Sequence, residues 1–365
     1  MKLIGKEEIE NIAIGAALLG TGGGGDPFVG KMMALQAIEE QGPVKLLDIT
    51  EIEDEDVIVP SAMMGAPTVL VEKIPSGDEA IQAFHSLEKV LNKKIKATMP
   101  IEAGGVNSLL PIALAASTGL PIVDGDGMGR AFPELQMVTF YLNGVSTTPM
   151  VLADEKGNST VLNTVNGEWA EKIARSATMV MGGSIMNAIY PMTGRQVKDS
   201  SIYRTLTLEE KIGQTIKEAQ LNKKNPIEEV LQLLGGMTLF SGKVTDIERK
   251  TDGGFVHGTA TVEGLNQYKG DNGYLEFQNE NLLIKTDHDV LCMTPDLICV
   301  LDTETALPIT TEGLRYGARA TVIGIPADEK WRTEKGIEVA GPRYFGYDYD
   351  FTPVETLNER QGGKQ

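Results

Sequence analysis

The chain reads as an α/β protein with an N-terminal layered α/β domain, built on a mainly parallel sheet, and a C-terminal domain that ends β-rich and barrel-like. Three observations lead there. Short apolar runs alternate with amphipathic helical patterns from Val44 to Ile101, the composition turns at Met237 to strand after strand separated by glycine turns, and 365 residues are enough for two cores. The expected division is 1–165 and 166–365, the second part helical at first and β-rich from about residue 237.

Residues 6–19 carry Ile9, Ile12, Ala13, Ala16, Ala17 and Leu19 at helical spacing, which predicts a first helix that stops at Gly20. Asp26 before Pro27 is an N-cap followed by proline at the first helical position, so a second helix runs from Pro27 to about Gln41. Val44–Ile49 and Val57–Pro60 are strands, the second leaving into a turn at Ser61–Pro67, and residues 78–91 form an amphipathic helix with His85 at the rim of its apolar face. Lys96–Ile101 is a strand, Ser108–Ser117 a helix capped by Asn107 or Ser108, and Leu120–Val123 the next strand. That order makes a βαβ unit with two parallel strands, so Glu102 and Asn107 leave the same sheet edge as Asp124 and Asp126, where ligands of open α/β sheets bind.

A helix from Pro133 to about Leu142, a strand at Met150–Leu152 with a turn at Lys156–Asn158, and a helix over 167–180 follow. Thr207 with Glu210 three residues on reads as a capping box opening another helix, and Leu233-Leu-Gly-Gly closes the one after it. Strands are then expected at Leu239-Phe240, Phe255–Val262, Tyr274–Phe277, Leu282–Ile284, Leu297–Leu301 and Ala320–Ile325, with hairpin turns at Asn279-Glu280-Asn281 and Asp287-His288-Asp289. The aromatic tail Ala340–Asp348 is expected to fold back onto a core.

Acidic residues outnumber basic ones 51 to 33, a formal charge of −18, which argues against nucleic acid or an anionic membrane as partner. Cys292 and Cys299 are too few for a disulfide framework and lack metal-finger spacing. No apolar run reaches a membrane span and Met1–Glu8 has no signal-peptide core, so a cytoplasmic location is expected, with a small molecule as ligand and a homo-oligomer as the assembly.

Chemistry concentrates in Leu120-Pro-Ile-Val-Asp-Gly-Asp-Gly-Met-Gly-Arg-Ala-Phe-Pro-Glu134, where a short strand passes into Asp124, Asp126, Arg130 and Glu134 among three glycines. Charged groups gathered this closely must be offset by a ligand, a metal or each other. The structural alternative is that Asp124 and Asp126 cap turns and Glu134 opens a helix. The second candidate is Thr21, Gly22, Gly23, Gly24, Gly25 and Asp26. This run joins two helices, where a nucleotide-cradling loop follows a strand, so no nucleotide is expected and its bare amides suit a carboxylate or a developing negative charge.

Leu19–Pro27, Met64-Gly-Ala-Pro67, Glu102-Ala-Gly-Gly-Val-Asn107, Asp124–Glu134, Pro295–Ile298 and Gly341–Gly346 together resemble the former DUF917 family, now named after S-methyl thiohydantoin desulfurase and often labelled hydantoinase-like. The resemblance covers nearly the whole chain. It implies an N-terminal α/β domain, a strand-rich C-terminal domain, and hydrolysis at the amidine-like carbon of a five-membered thiohydantoin ring with release of methanethiol.

Such a displacement needs an activated water and a proton for the ring nitrogen or leaving sulfur, tasks that two carboxyl groups in different environments can divide. Asp126 is the expected base and Glu102 or Asp124 the acid. Arg130 is the expected anchor for a substrate carboxylate, and the Gly22–Gly25 amides the expected support for charge on the ring oxygen, with Asn107 and Glu134 nearby. A divalent metal held by Glu102, Asp124 and Asp126 is an open variant. The competing reading is a non-catalytic accessory or ligand-binding subunit of a hydantoinase- or oxoprolinase-type enzyme.

Overall fold

The computed structural model describes residues 2–65, 69, 73, 75–252 and 255–362. Its N-terminal sheet has nine strands: β1 (Lys2–Ile4), β2 (Val44–Leu47), β3 (Val57–Gly65), β4 (Ala97–Pro100), β5 (Ile122–Val123), β7 (Met150–Ala153), β8 (Ser159–Leu162), β9 (Ser184–Ala188) and β10 (Met192–Thr193). Across the sheet the order is β1-β2-β5-β4-β3-β9-β7-β8, with β10 also on β3, and a separate antiparallel pair joins β6 (Gly125–Asp126) to β11 (Ile202–Tyr203). The four central strands β2, β5, β4 and β3 are parallel and the flanking ones antiparallel. The expected βαβ pair is therefore β4–β5, and Glu102 and Asp124 do leave one common carboxyl edge.

Helices α1 (Lys6–Leu19) and α2 (Pro27–Gln41) lie as the spacing predicts, and Asp26 caps α2 by accepting the Phe28 amide at 2.8 Å. Helix Asp78–Leu91 buries Ala80, Ala83, Phe84 and Leu87 and leaves His85 exposed. Four expectations change. The Ser61–Gly65 segment continues β3 as buried strand, while Ala66 and Pro67 lie outside the described residues. The helix expected from Ser108 begins at Leu110 without a side-chain cap, because Asn107 and Ser108 bond elsewhere. From Pro133 the chain stays irregular until a short helix at Thr139–Leu142, since the Leu135 amide donates to Glu171 Oε2 at 3.1 Å. Helix Thr205–Leu221 has no capping box, and the carboxylate of Asp124 takes its Thr207 amide at 3.0 Å.

The C-terminal sheet is antiparallel in the order β16-β15-β14-β13-β12-β18-β17: β12 (Met237–Asp252), β13 (Phe255–Gly264), β14 (Asn272–Gln278), β15 (Glu280–Lys285), β16 (Val290–Met293), β17 (Leu297–Asp302) and β18 (Arg319–Ile325). The sheet curls into a half-barrel that brings β16 and β17 near one another, with Asn281 of β15 donating to the Ile298 carbonyl of β17 at 2.9 Å. The strand β16 was not anticipated. Its apolar run, Val290–Met293, is only four residues long and ends just before Thr294-Pro295.

One hydrophobic core is shared by both halves, joining Val123, Met128 and Phe132 to Leu297, Cys299, Ile323 and Trp331. Helix Thr205–Leu221 crosses α1 so closely that a Cβ on Gly15 would stand 2.0 Å from the Glu209 carbonyl and one on Gly213 2.2 Å from that of Asn11. Since neither backbone can withdraw without parting the helices, Gly213→Ala is expected to cost at least about 1–3 kcal/mol, the usual penalty of overpacking. Urea denaturation measures it, and an unchanged midpoint would refute this crossing.

Candidate functional site

At the carboxyl ends of β3 and β4 lies a cavity of about 80 Å³. At roughly 10–15 Å³ per water it has room for several waters or one small ring. Its walls include Met63 and Met64 of β3, Glu102 and Asn107 after β4, Met128, Phe132 and Glu134, the backbone of Gly24 and Gly25, Arg175, and Asn279 and Glu280 from the β14–β15 turn. Both halves of the chain thus supply a carboxyl group.

Glu102 is buried, and its position is fixed from two sides. Asn107 Nδ2 donates to Glu102 Oε1 at 2.7 Å, while Asn107 Oδ1 accepts the Met63 amide at 2.8 Å, tying the carboxyl to β3. The Phe132 amide supplies a second donor. Burial nevertheless pushes Glu102 up to about 7; those hydrogen bonds oppose the rise, and the nearby Asp126 adds to it. Glu280 is also buried, with Oε2 lacking any hydrogen-bond partner among the described residues. Desolvation first, and then Glu102, raise it well above the ordinary carboxylate range, against the pull of Arg130.

The glycine run shapes this wall. A Cβ on Gly23 would lie 2.1 Å from Glu280 Oε1, so the carboxyl occupies the space a side chain would need. A Cβ on Gly105 would lie 2.1 Å from the Gly25 carbonyl, and the Val106 amide donates to the Gly24 carbonyl at 2.8 Å. The two glycine motifs therefore touch backbone to backbone. Asn281 N donates to the Thr21 carbonyl and Thr311 N to that of Gly22, both at 2.8 Å, which stitches the run to the half-barrel.

The structure separates the residues that the sequence grouped. Gly24, Gly25, Glu102, Asn107 and Glu134 line the cavity; Asp124, Asp126, Arg130, Thr21, Gly22, Gly23 and Asp26 do not. Asp126 is fully buried, accepting the amides of Met128 at 2.8 Å and Gly129 at 2.7 Å on Oδ2 and the Thr205 hydroxyl at 2.6 Å on Oδ1. Asp124 takes the Thr207 amide and, at 2.5 Å, its hydroxyl. These two acids anchor the start of helix Thr205–Leu221, so the base role expected of Asp126 and the acid role of Asp124 give way to a structural one. Arg130 is likewise engaged: it donates to the carbonyls of Ala131, Pro295, Asp296 and Asn281 and to Thr21 Oγ1, which leaves no donor set for a substrate carboxylate.

Glu134 meets Gln136 and accepts the Tyr344 hydroxyl at 2.9 Å, through which the aromatic tail folds back onto the site. Arg175 pairs with Glu171, donates to the Pro133 carbonyl at 3.0 Å and rests on the Phe255 ring at 4.0 Å. Among the described residues no three His, Cys, Asp or Glu side chains form a group that could hold a metal ion, and Glu102, Asp124 and Asp126 are not gathered into one. Sequence reasoning missed Glu280, Asn279 and Arg175. Asn279-Glu280-Asn281 was visible as a turn, but only the curl of the half-barrel brings that turn to β4.

Two family models account for the chain: the S-Me-THD-like N-terminal domain matches residues 7–164 and the S-Me-THD-like C-terminal domain residues 165–354. The chain belongs to the S-Me-THD-like family. Among solved structures, the family's fold recurs in the crystal structure of a structural-genomics target from Chromobacterium violaceum, at a TM-score of 0.80 and 22% identity, covering 97% of this chain and all of that one. No curated protein matches the chain. At that identity the likeness shows the fold alone. No helix among the described residues is long and apolar enough to cross a membrane.

Two measurements check the site's assignments. Asp124→Ala should lower stability by about 0.5–2 kcal/mol, as loss of a helix cap does; a variant as stable as the parent would contradict the anchor role. The folded chain keeps the Glu102 proton up to about pH 7, whereas the ordinary value is 4.5. The stability this contributes is full below pH 4.5 and is lost as pH rises through 7. Glu102→Gln should remove that component, so its stability should gain on the parent's across this window. Parallel curves would contradict the shift.

Proposed function

We propose that the chain is a hydrolase acting on a small five-membered cyclic amide or amidine, with an S-methyl thiohydantoin-type ring as the best candidate. One observation carries the reading: Glu102 and Glu280, both buried and both with raised proton affinity, face one small and largely apolar cavity. Carboxyl groups in such surroundings divide acid and base work near neutral pH. Glu102, held by Asn107 and near its midpoint at pH 7, takes a proton from water as the oxygen attacks the ring carbon between nitrogen and sulfur. Glu280, the more strongly protonated partner, delivers its proton to the ring nitrogen and takes back the hydroxyl proton of the adduct as the carbonyl forms, while Glu102 passes the proton it took from water to the departing sulfur. The carbon–sulfur bond breaks, methanethiol leaves, and the ring carbon becomes a carbonyl. Among the described residues the amides of Gly24 and Gly25 donate to no protein acceptor, which suits them to the ring oxygen.

Family membership supports a thiohydantoin-related role. The purified chain should release thiol from S-methyl thiohydantoins, and Glu102→Gln should lower kcat/KM by about 10²–10⁴-fold, the usual worth of a positioned base. Inertness toward these rings and related cyclic amides, with and without divalent metals, would overturn the proposal in favour of an accessory or ligand-binding subunit.

A further inference from the structure

We propose that Glu102 and Glu280 hold one proton between them, and that Arg130, sealed off from the cavity, is the positioning residue that keeps the pair singly ionised. The inference deepens the reading above and rests on its pairing of the two acids.

Arg130 carries an unbalanced charge. Arg130 is completely buried, and all its hydrogen bonds go to neutral acceptors: four carbonyl oxygens at 2.8–3.4 Å and the Thr21 hydroxyl at 2.9 Å. The Phe132 ring lies 4.4 Å from its guanidinium carbon. Among the described residues no carboxylate pairs with it directly, since the side chain of Asp296 is taken by Arg332. A buried guanidinium without a counter-charge is costly. Two of its partners flank the cavity wall. Asn281 follows Glu280 in the chain, and Thr21 precedes the glycines against which Glu280 rests.

The carboxyls present the opposite imbalance. Glu280 Oε2 is buried and unpartnered, and Glu102 shares its cavity. Two negative charges lining one small cavity repel, and none at all would leave Arg130 unbalanced. A single negative charge on the pair satisfies both demands. The two sites then titrate as a unit, with values that belong to the pair. The other charged or titratable groups facing them are Asp126 beside Glu102, Glu312 beside Glu280, Glu134 and Arg175 in the cavity wall, and Asp296 with the Cys292 and Cys299 thiols beside Arg130. Burial raises both thiols, so they stay neutral and supply no counter-charge.

The test is a carboxyl titration by NMR on the full chain labelled with ¹³C at glutamate side chains, assigned with Glu102→Gln and Glu280→Gln. At about pH 8, one unit above the Glu102 midpoint, the wild type should carry one protonated and one ionised carboxyl in the pair. In Arg130→Met the first proton should bind at least about tenfold more tightly, an upward shift of about one pH unit, whereas Arg130→Lys, if its ammonium keeps the charge in place, should leave the titration close to wild type. Where Arg130→Met does not fold, Glu102→Gln decides: Glu280, which loses its proton beside an ionised Glu102 in the wild type, should then ionise at least about tenfold more readily, because its like-charged neighbour is gone. Two ionised carboxyls at about pH 8, a folded Arg130→Met with an unmoved titration, or a Glu280 indifferent to Glu102→Gln would each overturn the proposal. No turnover enters the measurement, so a shared proton in a chain inert toward thiohydantoins would sink the hydrolase reading and leave the pair standing.

Discussion

Arg130 must satisfy five hydrogen bonds without water, and the acceptors it uses lie in three distant parts of the chain: the glycine run at Thr21, the Pro295-Asp296 corner and the β15 strand at Asn281. Desolvation lowers its proton affinity to about 10, still far above neutrality, so it stays charged and every one of those acceptors stays engaged. Removing any one leaves a buried charge short of a partner, a cost well above that of a surface contact. This requirement fixes where the half-barrel sits on the α/β layer. The cavity exists because the two are fixed there.

The Asp124–Glu134 segment around it works as a joint. Asp126 takes the Thr205 hydroxyl and Asp124 the Thr207 amide and hydroxyl at the start of helix Thr205–Leu221, the Met128 carbonyl accepts the Trp331 indole at 2.7 Å, and the Gly127 amide donates to the Ile101 carbonyl at 3.0 Å next to Glu102. The density of charge that marks this stretch as functional is largely the density of a structural crossing. Its downstream end is the part that reaches the cavity, where Phe132, Pro133, Glu134 and Leu135 line the wall. A motif can thus border a cavity while its two aspartates do structural work elsewhere.

What could be read in the sequence follows from range. Helices α1 and α2, the cap at Asp26, the β4–β5 unit and most strands of the half-barrel are set by local periodicity and turn residues, and they stand where spacing puts them. Glu102 and Asn107 were legible for the same reason, since they follow a recognisable strand by a few residues. Glu280 was not, because nothing within its own hairpin says that the sheet curls back over β4. Asp124 and Asp126 misled because a buried acid that caps a remote helix and one that abstracts a proton look alike until the remote donors, Thr205 and Thr207, are in view. The segment after Pro133 failed as a helix through a tertiary contact of the same kind, the capture of the Leu135 amide by Glu171.

The central claim is that one acid from each half of the chain faces a common ligand. A crystal structure of the chain soaked with an unreactive hydantoin addresses it most directly. The account predicts the ring in the cavity between the Glu102 and Glu280 carboxyls, with a ring oxygen toward the Gly24 and Gly25 amides. A ring bound elsewhere, or coordinates in which the two carboxyls open onto separate spaces, would contradict it.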